Sequence, residues 1–137
     1  MEHHAILELV PDLRAPHAAR SFASEILTAW EMKASDIEAV QLVVSELVTN
    51  ALRHAPESPA ITLQLLLAGD GSVQVRVSDS GQGAPERRSP PDAGTGIENG
   101  RGVWIVDAFT HHWGTEPDGH GGKTIWCEIR TEPTWKR

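Results

Sequence analysis

The sequence predicts a two-layer α/β sandwich, with helices on one face of a mixed, largely antiparallel sheet. Two early segments place apolar residues at helical spacing, and several later segments alternate apolar and polar residues. Short glycine-containing turns join the alternating segments in pairs, which is typical of antiparallel strands. The length of 137 residues suits a single domain spanning 1–137.

The first half of the chain predicts one strand and two helices. Residues 4–10 form an apolar run that predicts the strand. Residues 15–32 repeat apolar side chains every three or four positions, which predicts the first helix. The second helix is expected to begin at Ser35, where Glu38 completes a capping box, and to end near His54.

The next two strands are predicted as a hairpin. Residues 60–68 and 72–78 alternate apolar and polar side chains, as half-buried strands do. The Gly-Asp-Gly sequence at 69–71 is a strong turn signal between them.

A long glycine-rich segment separates this hairpin from the end of the chain. Residues 79–102 are predicted to be a loop, and loops of that length in small domains are usually functional or disordered. A short helix at about 102–109 and two strands at about 111–116 and 122–130 complete the predicted order of elements.

Composition and charge exclude several classes of protein. The formal net charge of -7 disfavours DNA or RNA binding as the main function, although an acidic protein can bind a nucleotide through a metal ion and backbone N–H groups. The single cysteine fits a reducing compartment. The sequence shows no signal peptide and no membrane-spanning run, so we expect a cytoplasmic protein without membrane association.

The second predicted helix carries a line of polar side chains. Glu46, Asn50 and Arg53 recur at helical spacing beside the apolar stripe. A carboxylate can act as a general base, an amide oxygen suits Mg²⁺, and a guanidinium can pair with phosphate. The alternative is the ordinary polar edge of an amphipathic helix.

Two glycine-rich turns are candidates for ligand contact. Asp79 follows an apolar strand and precedes Gly81 and Gly83, so it can either cap the strand in an Asx-turn or accept a hydrogen bond from a base. Gly100 to Gly102 lead into a predicted helix, and Arg101 adds a positive charge there. Such a helix start can bind an anion, or it can be a simple cap.

Several other motifs are excluded by their context. The Gly-Lys-Thr sequence at 122–124 is not a P-loop, because Pro117 occupies the position of the first glycine and a strand follows. A dinucleotide-binding fingerprint fails because Asn99 stands where its third glycine is required. The seven histidines show no metal-binding spacing.

Taken in order, the motifs resemble those of a known superfamily. Residues 46–53 read E-x-x-x-N-A-x-R, and D-x-G-x-G, G-x-G-V and G-K-T follow later in the chain. This order resembles the Bergerat-fold (GHKL) ATPases, which include gyrase, a heat-shock chaperone, histidine kinases and mismatch-repair proteins. The resemblance extends over about residues 5–130. Residues 46–55 look like the small stand-alone branch of anti-sigma factors that are also serine/threonine protein kinases.

The resemblance implies ATP and Mg²⁺ as cofactors and assigns roles to the helix residues. Asn50 would coordinate Mg²⁺, Glu46 would be the catalytic base, and Arg53 would approach the phosphates. By the same resemblance, Asp79 would bind adenine, Gly81 and Gly83 would shape its pocket, and Thr124 would assist on the adenine side. The phosphates would be contacted from a lid at about 81–101 by Gly100, Arg101, Gly102 and Val103. Val103 stands where the family pattern has leucine.

The resemblance also implies partners. The expected function is an anti-sigma factor that phosphorylates a small antagonist protein (an anti-anti-sigma protein), with a sigma factor as the competing partner and a homodimer as a compatible assembly. An alternative is an ATP-binding module that sequesters a partner without significant kinase activity. The catalytic module of a histidine kinase is less favoured, since we find no helical dimerisation domain with a phosphoacceptor histidine.

Overall fold

A computed structural model describes residues 3–54, 58–80, 112–117 and 122–131. The elements in chain order are β1 His3–Leu9, α1 Ala15–Ala29, α2 Ala34–His54, β2 Ile61–Leu67, β3 Val73–Asp79, β4 His112–Pro117 and β5 Lys123–Ile129. All seven were predicted within a few residues. The short helix predicted at 102–109 lies outside the described residues.

The five strands form one sheet in the order β1-β2-β3-β5-β4. Each neighbouring pair in this sheet is antiparallel, so the described part contains none of the parallel pairing that a mixed sheet would include. The two-layer α/β sandwich is confirmed. The long connection of α1 and α2 between β1 and β2 places both helices over one face of the sheet.

The core lies between this face and the two helices, and α2 contributes the larger share of it. Alternate residues of β2, β3 and β5 are buried, as period-two alternation predicts for a strand with one covered face. They face a broad stripe on α2 that is also buried: Val40, Val43, Val44, Leu47, Val48 and Ala51. Burying each large aliphatic side chain contributes about 1.5–3 kcal/mol, so this interface is the main source of stability.

The hairpin between β2 and β3 turns where the sequence predicted. Gly71 has φ 95°, a left-handed conformation that favours glycine. One carboxylate oxygen of Asp70 accepts hydrogen bonds from the backbone N–H and the hydroxyl of Ser72. This local network fixes the register in which β2 and β3 pair.

The junction of the two helices explains why α1 ends at Ala29 rather than at 32. The Met32 N–H donates to the Leu27 carbonyl and the Glu31 N–H donates to the Thr28 carbonyl, both at 3.0 Å. These two bonds define a Schellman motif with Glu31 at its left-handed position, φ 62°. Met32 and Leu27 are both buried in the core, as the hydrophobic contact of that motif requires.

Glu31→Gly is expected to stabilise the protein by about 0.5–1 kcal/mol, because a left-handed backbone is strained for residues with a Cβ atom. The matched control is Glu25→Gly in the interior of α1, where the same change should destabilise by about 1 kcal/mol. Urea unfolding of both variants measures the two effects. Equal destabilisation by both changes would contradict this account of the junction.

The start of α2 differs by one residue from its prediction. The Ile37 N–H already donates to the Lys33 carbonyl at 2.9 Å, and the helix begins at Ala34. Ser35 therefore lies inside the first turn instead of capping it. In the described ranges, neither helix combines the length and hydropathy that crossing a membrane would need.

Candidate functional site

Glu46 and Asn50 lie one helical turn apart on α2, and both are half-buried. Their neighbours Leu47 and Ala51 are buried in the core, so the two polar side chains lie at the border between the core and solvent. Arg53 continues the line one turn further and is exposed. The structure thus confirms that the helix places these three side chains along one edge.

Another side of α2, which carries Gln41 and Ser45, contacts α1. The guanidinium of Arg20 on α1 donates to the Ser45 hydroxyl at 2.9 Å, and the Gln41 amide donates to the Arg20 carbonyl at 3.0 Å. Each residue advances the helix by about 100°, so Ser45 lies about that angle around α2 from Glu46, and Gln41 lies further round still. The side of α2 that contacts Arg20 of α1 is therefore different from the side that carries the candidate site.

Asp79 lies at the end of β3 and forms a buried ion pair. Its backbone is in register with Lys123, the first residue of β5. The Lys123 ammonium donates to Oδ1 of Asp79 at 3.1 Å, and the two side chains are only 8% and 1% exposed. Both residues continue the inward-facing alternation of their strands, so the pair lies on the face that the helices cover.

Two serines hold the chain at the point where it leaves β3. The Ser58 hydroxyl donates to the Ala60 carbonyl at 2.7 Å and accepts the Ser80 backbone N–H at 3.0 Å. The hydroxyls of Ser58 and Ser80 are also 3.0 Å apart. These bonds tie the residue after Asp79 to the segment before β2, which restricts the position of the Asp79 carboxylate.

Thr124 is placed on the other face of the sheet. Its hydroxyl shares a 2.7 Å hydrogen bond with the hydroxyl of Ser78. Successive residues of a strand point to opposite faces, so this pair lies opposite Asp79 and Lys123. A direct role for Thr124 at adenine stays a prediction, and the β5 residue that bonds Asp79 here is Lys123. The sequence analysis did not identify Lys123 as a site residue. Its position in phase with the buried apolar residues of β5 could have indicated that it faces the core.

The remaining predicted contacts are not part of the described structure. Gly81, Gly83, Gly100, Arg101, Gly102 and Val103 all lie between residues 81 and 111, as does the predicted lid. In the described ranges, the candidate site therefore consists of the edge of α2 and the ends of β3 and β5.

The side chains of α2 could hold a magnesium ion only together with the phosphate oxygens of a bound nucleotide. Among the described residues, no three histidine, cysteine, aspartate or glutamate side chains are grouped so that they could hold a metal ion. The amide oxygen of Asn50 is an acceptable Mg²⁺ ligand, and Mg²⁺ is commonly bound by one or two protein ligands together with phosphate oxygens. The residues present therefore fit a magnesium ion that arrives with a nucleotide.

A hollow of about 460 Å³ lies elsewhere on the molecule. His3, His4, Leu66, Gln74 and Glu128 are among its lining residues. These positions belong to the opposite ends of the strands from Asp79 and Lys123. The hollow is therefore separate from the candidate nucleotide site.

Cys127 is excluded as a nucleophile. It is fully buried in β5, and this burial raises the pKa of its thiol far above the ordinary range. The thiolate, which is the reactive form, is therefore not populated near neutral pH.

We expect Cys127 to resist a thiol reagent such as DTNB at pH 8 in the folded protein and to react at once in denaturing urea. The reaction rate in the folded state should follow the unfolding equilibrium, since the thiol becomes accessible only when β5 separates. Fast labelling of the native protein would show that β5 is not packed as described.

An antiparallel sheet with two helices on one face is the architecture expected of the Bergerat-fold ATPases. The chain matches the histidine kinase-like ATPase domain family over residues 9–128. It belongs to that family, and it therefore has the ATP-binding fold of kinase-like ATPases.

Two proteins are similar to this chain in sequence. The uncharacterized protein SCO4941 of Streptomyces coelicolor is 31% identical over 94 residues, which cover 66% of this chain and 84% of that protein. The adaptive-response sensory kinase SasA of Gloeothece citriformis is 35% identical over 54 residues, covering 39% of this chain and 14% of the kinase.

A solved structure shares the fold. The RsbU and RsbW domains of Rv1364c from Mycobacterium tuberculosis superimpose with a TM-score of 0.72 at 24% identity. The match covers 94% of this chain and 32% of that one, so this chain corresponds to about a third of the larger protein.

Proposed function

We propose that this protein is an ATP-dependent serine/threonine protein kinase of the anti-sigma type. Its substrate would be a small antagonist protein with a serine at a helix N-terminus, and a sigma factor would be the competing partner. The observation that carries the proposal is the half-buried line of Glu46 and Asn50 on a helix of a kinase-like ATPase domain. A cytoplasmic location and a homodimeric state belong to the same proposal.

The proposed roles follow from the chemistry of each side chain. Asn50 holds Mg²⁺ through its amide oxygen, and bound Mg²⁺ neutralises phosphate charge during transfer. Glu46, one turn away, accepts the proton of the substrate hydroxyl. Arg53 is exposed at the end of the same line, where its guanidinium can approach the phosphates.

The other proposed contacts bind the nucleotide. Asp79 accepts a hydrogen bond from the adenine amino group, and Gly81 and Gly83 shape that pocket. The segment Gly100–Val103, with Arg101, contacts the phosphates from a lid at about 81–101, and Thr124 assists on the adenine side. Positioning and charge neutralisation provide most of the catalysis of phosphoryl transfer, so a single domain of this size is sufficient.

Two measurements test the proposal in sequence. Calorimetry with ATP and Mg²⁺ on the folded protein should show binding at one site per chain. Incubation with ATP and candidate antagonist proteins should then yield phosphoserine on one of them. ATP binding without transfer to any antagonist would favour the alternative, a module that sequesters its partner. The absence of ATP binding would end both readings.

A further inference from the structure

The ammonium of Lys123 carries more hydrogen-bond donors than its bond to Asp79 uses. An ammonium group carries three N–H donors, and in the part of the chain that the structure describes one of them is used, on Oδ1 of Asp79. The Lys123 side chain is only 8% exposed, so water reaches it poorly. Buried donors are almost always satisfied, so the remaining donors of this ammonium require acceptors beyond Asp79.

The surroundings of the pair indicate where that acceptor would come from. Asp79 and Lys123 lie at one end of the strands, on the face that the helices cover, and Asp79 is the residue proposed to bind adenine. Separating a buried ion pair leaves an uncompensated charge, which typically costs about as much as several hydrogen bonds. A base entering this site is therefore expected to meet the two side chains as an intact pair.

We propose that Asp79 and Lys123 together recognise the base, with the carboxylate accepting from the amino group and the ammonium donating to the neighbouring ring nitrogen N1. This inference rests on the proposed function and adds a specificity residue to it. Adenine presents a donor next to an acceptor on this edge. The two protein groups, 3.1 Å apart, present an acceptor next to a donor, which is the complementary order.

The same arrangement discriminates against guanine. Guanine carries a carbonyl oxygen in place of the amino group and an N–H in place of the unprotonated ring nitrogen. In the orientation that suits adenine, the carboxylate would face an oxygen and the ammonium would face an N–H. Both contacts are repulsive, and a site with buried polar groups left unpaired rejects such an analogue strongly. Lys123 thus makes the site selective for ATP over GTP.

The test compares nucleotides on the unmodified protein. Affinities for ATP, GTP, 1-deaza-ATP (in which a C–H replaces N1) and purine riboside triphosphate (which lacks the amino group) are measured by calorimetry with Mg²⁺. We expect 1-deaza-ATP to bind about 10- to 100-fold more weakly than ATP, the usual range for a lost hydrogen bond to a charged group. Purine riboside triphosphate should lose a similar factor through Asp79, and GTP should bind more weakly still.

A variant assigns the loss to Lys123. In Lys123→Met the affinities for ATP and 1-deaza-ATP should become equal, while the loss with purine riboside triphosphate remains. Lys33→Met, the same substitution at a half-buried position of the helix junction, should leave all ratios unchanged. If Lys123→Met fails to fold, Lys123→Gln replaces it and should reduce the 1-deaza penalty, because a neutral amide is the weaker donor.

Two results would overturn the inference and are distinct from failure of the proposed function. Equal binding of ATP and 1-deaza-ATP to the unmodified protein would show that N1 is not read. A 1-deaza penalty that persists unchanged in the folded lysine variant would assign N1 to another residue. If ATP itself does not bind, the proposed function fails and the inference fails with it.

Discussion

Glu46→Gln is expected to lower the rate of phosphate transfer to the antagonist protein by about 10²- to 10⁴-fold, the contribution typical of a general base. Glutamine has the shape of glutamate but is not basic, so it cannot accept the proton of the attacking serine. The affinity for ATP should stay close to that of the unmodified protein, because Asn50 and Asp79 are unchanged. The rate is measured by phosphoserine formation and the affinity by calorimetry.

The matched control is Glu38→Gln, on the same helix but exposed and two turns closer to its start. It removes the same charge without touching the half-buried line, so transfer should proceed at the normal rate. Normal transfer by Glu46→Gln would show that Glu46 is not the base. A parallel loss of ATP affinity would indicate that its carboxylate acts in binding instead.

The features that were predictable from sequence are those set by nearby residues. The edge formed by Glu46, Asn50 and Arg53 follows from helical spacing alone, and the structure places all three where that spacing requires. The β2–β3 hairpin likewise follows from a glycine turn between two alternating segments. Neither inference needs a contact between distant parts of the chain.

The partner of Asp79 could not be found in this way. Lys123 lies 44 positions from Asp79, and the two meet only because β5 pairs with β3 across the sheet, passing over β4 in the chain order. The context of Gly-Lys-Thr at 122–124 excludes a P-loop, and the motif itself does not reveal the contact of Lys123 with Asp79. The useful signal was the alternation with Ile125 and Cys127, which places residue 123 on the covered face.

The same non-local pairing also decides which face of the sheet Thr124 occupies. A shift of one residue along a strand moves a side chain to the opposite face. Thr124 therefore meets Ser78 on one face, while Lys123 meets Asp79 on the other. The position of each residue relative to the site is decided by the register of β3 and β5.

The energetic role of the ion pair can be separated from its role in recognition. Lys123→Met is expected to destabilise the protein by about 3–5 kcal/mol, because it leaves the carboxylate of Asp79 buried without its cation. The double variant Asp79→Leu with Lys123→Met removes both charges and should recover most of that loss, since apolar side chains of similar volume can replace a buried pair. Urea unfolding measures the free energies of unfolding, provided that the slope of free energy against urea concentration is the same for all variants.

Lys33→Met is the matched control, and we expect it to change stability by less than about 1 kcal/mol, because Lys33 is partly exposed and lies outside the buried core. The recovery in the double variant is the decisive comparison. If that variant is as unstable as Lys123→Met, the lysine stabilises the fold mainly through the packing of its stem and not by compensating a charge. If the double variant is stable yet no longer binds ATP, the ion pair is dispensable for folding. Its role is then to bind the nucleotide.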